Sequence, residues 1–154
     1  MSLPADPGST FLAADAIPTL RIGATTARFV ATGSLTDGRF GLFRWDMTAS
    51  SGGASPHYHR TISESFYVVS GSVELYDGSA WVAGRPGDFL YVPELGVHGF
   101  RNTSSEDASI LILFAPGGPR EDYFRELAER LAAKVDAGPE ERAAFLARHD
   151  QFEV

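Results

Sequence analysis

The sequence predicts an all-β domain, an antiparallel β-barrel or sandwich, followed by two C-terminal helices. Three observations lead there. From about residue 25 to residue 115, short apolar runs alternate with turn residues and no helical period intervenes. Two Asp-Gly pairs, Asp37-Gly38 and Asp77-Gly78, each lie between such runs, the strongest short-range hairpin signal. From Pro119 onward the apolar residues recur at helical spacing instead.

Taken in order, residues 1–24 read as an N-terminal arm, with Phe11, Leu12, Ile17 and Leu20 available to dock it. Residues 25–118 form the barrel. Within it, GRFGLFRWDM alternates so that Phe43, Trp45 and Met47 share the inward face of a strand, while Arg44 and Asp46 share the other. SILILF, residues 109–114, shows no alternation and reads as a strand buried on both faces. Residues 119–154 are a helical tail packed on the barrel's outside or lip. Pro119 opens a helix whose stripe is Phe124, Leu127, Ala128 and Leu131; Gly138-Pro139 ends it, and EERAAFLAR makes a second, shorter one.

Composition narrows the function. The chain has 154 residues, enough for one domain with a substantial core, and a net charge of -7. No basic patch is present to neutralise phosphates, so neither nucleic acid nor an anionic membrane surface is an expected partner. The first 20 residues lack a basic segment followed by a continuous apolar run, and the longest strongly apolar run, ILILFA, is far too short to span a bilayer. A cytoplasmic location is expected. There is no cysteine, which excludes disulfides, thiolate catalysis and thiolate metal sites. A metal would have to be held by nitrogen and oxygen.

The four histidines supply the nitrogen. His57 and His59 are two residues apart and project from one face of a strand, and Glu64 follows after a turn. His98 lies in GDFLYVPELGVHGFRN, where a strand meets a Pro-Gly turn, and His149 sits beside Asp150 near the C-terminus as a surface residue. Buried imidazoles need a partner for each ring nitrogen, so paired histidines beside a carboxylate make better ligands than core filler. Three imidazoles and one carboxylate suit one divalent transition metal (Fe, Mn, Ni, Cu or Zn) and leave room for a small-molecule substrate. Phe66 and Phe100 each lie two residues past a candidate ligand and face the same interior. With Phe43, Trp45 and Met47 they are the candidate pocket wall, although core packing would serve all five as well. Asn102 reads as a strand-end residue bonded to backbone.

At these residues the sequence resembles the cupins, in particular small single-domain bacterial cupins of the quercetinase-like type. Their first motif is matched by His57, His59, Glu64 and Gly71, with Gly52 one residue closer to His57 than the pattern asks. The second is matched by Gly87, Pro93, His98 and Asn102, with its turn glycine one place late, at Gly96. The resemblance covers roughly residues 40–115. It implies a double-stranded β-helix, or jelly roll, in which His57, His59, Glu64 and His98 converge on one ion. It further implies a metal-dependent dioxygenase acting on a small enolic or phenolic compound, with Glu64 doubling as general base. Two other readings stay open: a non-redox zinc cyclase or isomerase of the aromatic polyketide type, and a metal- or small-molecule-binding cupin without turnover. The aromatic wall favours a flat, apolar, oxygen-bearing ligand over a sugar phosphate, unless Arg28, Arg44 or Arg101 reaches the mouth. A homodimer is expected, with the arm helping to cover a sheet edge.

Overall fold

A computed structural model of the protein describes residues 8–154, so the first seven residues of the expected arm lie outside the described residues. A short 3-10 turn, Ala14–Ala16, leads into the barrel. The strands are β1 (Thr19–Ile22), β2 (Thr25–Ala31), β3 (Gly41–Met47), β4 (Gly52–Tyr58), β5 (Ser63–Ser70), β6 (Val73–Tyr76), β7 (Trp81–Gly84), β8 (Phe89–Val92), β9 (His98–Asn102) and β10 (Ala108–Ala115). Helices α1 (Arg120–Ala132) and α2 (Pro139–Arg148) follow, and a final strand β11 (Phe152–Glu153) ends the chain.

Two antiparallel sheets face each other in a jelly roll. One has the order β1-β2-β3-β10-β5-β8, the other β11-β4-β9-β6-β7. Alternation puts Phe43, Trp45 and Met47 of β3 inward against Ile110 and Ile112 of β10 and Phe66 and Val68 of β5, all buried. Arg44 and Asp46 face outward, where Asp46 takes both Arg28 and Arg44 in exposed ion pairs of little energetic weight. The β6–β7 hairpin turns at Asp77, whose Oδ1 accepts from the Ser79 and Ala80 amides. The turn from β5 to β6 shows why its glycine is fixed: Gly71 has a φ of 72°, and a Cβ there would lie 2.4 Å from the Asp107 carbonyl.

Two expectations are corrected. SILILF is not buried on both faces: Ile110, Ile112 and Phe114 point inward, but Leu111 and Leu113 lie on the outer face, and Leu113 is 37% exposed. A fully apolar strand here reflects an apolar outer surface rather than a second covered layer. The arm does not dock through Phe11, which is 89% exposed; its last residues instead become β1, an edge strand paired to β2. Of the two positions expected for the tail, outside or lip, α1 takes the lip. Phe124 of α1 inserts among the rings of Phe43, Trp45 and Phe114, at centroid distances of 4.9, 4.8 and 6.1 Å, so the helix plugs one end of the barrel. Among the described residues no helix is long and apolar enough to cross a membrane.

Candidate metal centre

The two sheets meet at His57, His59, Glu64 and His98. All four are buried, and each offers a ligand atom within 4.8 Å of the others. His57 on β4 faces His98 on β9 across a ladder pair, while Glu64 comes from β5 of the opposite sheet. The β4–β9 pairing runs Ala54 to Phe100 and then His57 to His98, so β4 carries one extra residue in between. That bulge, at Ser55-Pro56, re-aims the chain so that both Ala54 and His57 face the interior, three residues apart. Proline belongs at such a point because it has no amide to give the ladder. Pro56 was the one sequence signal for it.

Each imidazole is held by its outer nitrogen. The Nδ1 atoms of His57, His59 and His98 lie 2.7, 2.6 and 2.9 Å from the carbonyl oxygens of Ser55, Asp150 and Gly96. A carbonyl only accepts, so each Nδ1 carries the hydrogen and each Nε2 is turned to the centre. Glu64 Oε2 lies 2.9 Å from His59 Nε2 and 2.6 Å from His98 Nε2. Burial works to raise the Glu64 carboxyl, but the charge of His98 and the hydrogen bonds with both histidines outweigh it and hold it well below the usual carboxylate range. Burial pulls His98 down, yet the Glu64 charge and hydrogen bond prevail and raise it above its ordinary value. His57 has no hydrogen bond to Glu64, and burial pushes it down to about 4.

This donor set fits a divalent transition metal. Three Nε2 atoms with their tautomers fixed from behind, plus one ionised oxygen, match the nitrogen and oxygen chemistry of Fe, Mn, Ni, Cu or Zn. His149 lies elsewhere, and it is not a free surface residue: its Nε2 bonds Glu126 at 2.7 Å, and its ring packs near Tyr123 and Phe145.

Beside the centre is a cavity of about 320 Å³, within the range of small-molecule sites. Of the five aromatic or thioether residues expected on its wall, Trp45 and Phe100 line it; Phe43, Met47 and Phe66 are packed in the core instead. Phe66 still backs the centre, its ring 5.7 Å from that of His98. The three arginines left open as candidates for the mouth do not line the cavity: Arg28 and Arg44 pair with Asp46, and Arg101 pairs with Glu74 while covering Trp81. Two arginines do line the cavity: Arg120, at the start of α1, with Tyr123 one turn on and Gln151 beside them, and Arg142, which is paired with Glu153 of the same wall. Sequence reasoning missed all of these because they lie in the tail, which carries no motif. The only hint was that α1 begins two residues after the Gly117-Gly118 turn, close to the end of β10.

Fold and site together define the class: the chain has the jelly-roll fold of a small cupin and resembles quercetinase-like proteins, and its residues 43–114 match the cupin domain family. Among curated proteins it is similar to quercetin 2,3-dioxygenase of Bacillus subtilis (strain 168), 31% identical over 115 residues, which is 71% of this chain and 32% of that protein. It is also 36% identical over 70 residues to an uncharacterized protein of Aquifex aeolicus (strain VF5), covering 46% of this chain and 57% of that one. The chain thus spans about a third and somewhat over half of those relatives' own lengths. Among solved structures, an RmlC-like cupin from Shewanella frigidimarina NCIMB 400 superposes with a TM-score of 0.63 at 20% identity, covering 75% of this chain and 96% of that one. A predicted oxalate decarboxylase from Thermotoga maritima gives 0.63 at 16% identity, covering 70% and 99%. At such identities these neighbours bear on the fold alone.

Proposed function

We propose that the protein is a metal-dependent cupin dioxygenase acting on a small enolic or phenolic compound, as the resemblance to quercetinase-like proteins implies. The observation that carries this is the set of three back-anchored imidazoles and Glu64 opening onto a cavity walled by Trp45 and Phe100. His57, His59, Glu64 and His98 would hold the ion. A divalent metal there supplies a Lewis acid that lowers the pKa of a bound hydroxyl and, if redox-active, access to dioxygen. Trp45 and Phe100 orient a flat substrate and exclude water from it. Glu64, kept ionised by its neighbours, is first of all a ligand, and it is also the carboxylate placed to take the substrate's hydroxyl proton.

Oxygen uptake tests the reading. Protein loaded separately with Fe(II), Mn(II), Ni(II), Cu(II) and Zn(II) is assayed with a flavonol in an oxygen electrode. Uptake with at least one redox-active ion, abolished in Glu64→Gln, is the expected result. No uptake with any of them, together with zinc as the ion in unsupplemented protein, would shift the assignment to the non-redox cyclase or isomerase reading.

A further inference from the structure

Among the described residues, two buried side-chain polar atoms have no protein hydrogen-bond partner: Arg120 Nε and Ser51 Oγ. Both residues line the one cavity that also contains His57 and Glu64. A buried guanidinium carries its charge at any physiological pH, so it must be compensated. Here its other two nitrogens are spent on neutral acceptors: Nη1 donates to the His149 carbonyl at 2.7 Å, and Nη2 to Gln151 Oε1 at 3.1 Å. The faces of Phe114 and Tyr123 lie 4.9 and 4.4 Å from its carbon. No carboxylate among the described residues forms an ion pair with it; of the two whose charge it feels, Glu64 is engaged with His59 and His98, and Asp150 with the Arg60 and Thr61 amides. With a divalent ion on the four ligands, the cavity holds two positive charges from the metal and one from Arg120 against one negative charge from Glu64, while Arg142 and Glu153 on its wall neutralise each other. That imbalance in a buried site calls for an anion.

We infer that the cavity takes an anionic substrate, an aromatic or enolic carboxylate, whose carboxylate accepts a hydrogen bond from Arg120 Nε while a second oxygen faces the His57, His59, Glu64 and His98 centre. The inference rests on the metal-cupin reading and adds to it the charge of the substrate and the residue that selects it. Arg120 is a binding residue supplied by the tail, which gives α1 a reason to enter the barrel beyond plugging it. Charge-assisted hydrogen bonds of this kind are the ones that discriminate an acid from its neutral isostere.

The test measures binding, so it does not depend on turnover. Zinc-loaded protein is titrated by calorimetry with 3-hydroxybenzoate and with its neutral isostere 3-hydroxybenzamide. The acid should bind at least about tenfold more tightly, and Arg120→Gln should erase the preference at unchanged zinc occupancy, with Arg120→Lys keeping part of it. Equal affinity for the two probes, or an undiminished preference in Arg120→Gln, overturns the inference. Because Arg120 also anchors the tail, a crystal structure of the wild-type complex gives a readout free of any variant. A carboxylate oxygen about 3 Å from Arg120 Nε is expected; a carboxylate bound elsewhere in the cavity overturns the assignment. Failure of the oxygen assay would leave these results standing, whereas turnover of a neutral substrate without acid preference would remove only the role of Arg120.

Discussion

Leu95 occupies the position where the second motif has its turn glycine, and its φ of 68° is the left-handed value that favours glycine. The neighbouring Gly96 is needed for a different reason: a Cβ there would sit 2.7 Å from Val92 Cγ1. The displaced glycine therefore did not move the left-handed turn, which still delivers His98, and Leu95 donates its amide to the His59 carbonyl at 2.7 Å. The left-handed conformation costs an L-residue roughly 1–2 kcal/mol, and glycine's extra chain entropy costs about 0.5–1 kcal/mol. Leu95 is 64% exposed and has little packing to lose. Leu95→Gly should thus raise the melting temperature by a degree or more; a lower one would show that the leucine side chain has a role of its own. Protonation of the centre gives a second residue-scale outcome. Ligation needs unprotonated Nε2 atoms, so acid competes with metal. His98, raised by Glu64 above its ordinary value, takes up a proton well before His57, which stays neutral until about pH 4. Metal affinity, measured by chelator competition, should fall in two stages as pH drops, the first with His98 and the second with His57 near 4. Full occupancy below pH 4 would contradict the ligand set.

At the scale of elements, the tail reaches the centre from behind. The Asp150 carbonyl fixes His59, the Asp150 carboxylate accepts from the Arg60 and Thr61 amides, and β11 pairs with β4 opposite His57. Loss of such outer partners typically lowers metal affinity about 10–100-fold. Removing residues 150–154 should do so here while leaving the β-sheet circular dichroism intact; unchanged affinity would detach the tail from the site. The sequence revealed the ligands because their spacing along β4, β5 and β9 is local, and strand parity gives their direction. It did not reveal Arg120, Tyr123 and Gln151, whose approach to the cavity depends on where α1 docks, a matter of long-range packing around Phe124. Parity also failed on the wall. Phe66 shares its face with Glu64, but it meets Ile112 and Leu90 in the ladder and is packed core, whereas Phe100 opens onto the cavity. Facing inward does not decide which inward side chains leave space.

For the whole molecule, the outer face of the larger sheet stands out. Leu111, Tyr67 and Phe89 lie in one ladder row, and Leu113, Ser65 and Tyr91 in the next, with Tyr67, Phe89 and Tyr91 largely exposed. Contiguous apolar surface of this kind marks contact surfaces. We propose that two copies of the chain pair through this face, next to the open edge at β8. The end of the arm, as β1, covers the edge of β2 within its own chain. Sedimentation should show a dimer that Phe89→Lys with Tyr91→Lys converts to monomer. A dimer indifferent to both changes would place the interface elsewhere.

The central proposal is one ion held by His57, His59, Glu64 and His98. Elemental analysis of the freshly purified protein, beside His98→Ala and His149→Ala, tests that most directly. The account predicts close to one transition-metal ion per chain in the unaltered protein and in His149→Ala, whose histidine is tied to Glu126 away from the centre. Most of the metal should be gone from His98→Ala. A metal-free protein that also refuses added metal at neutral pH, or equal loss from the two variants, would contradict the account.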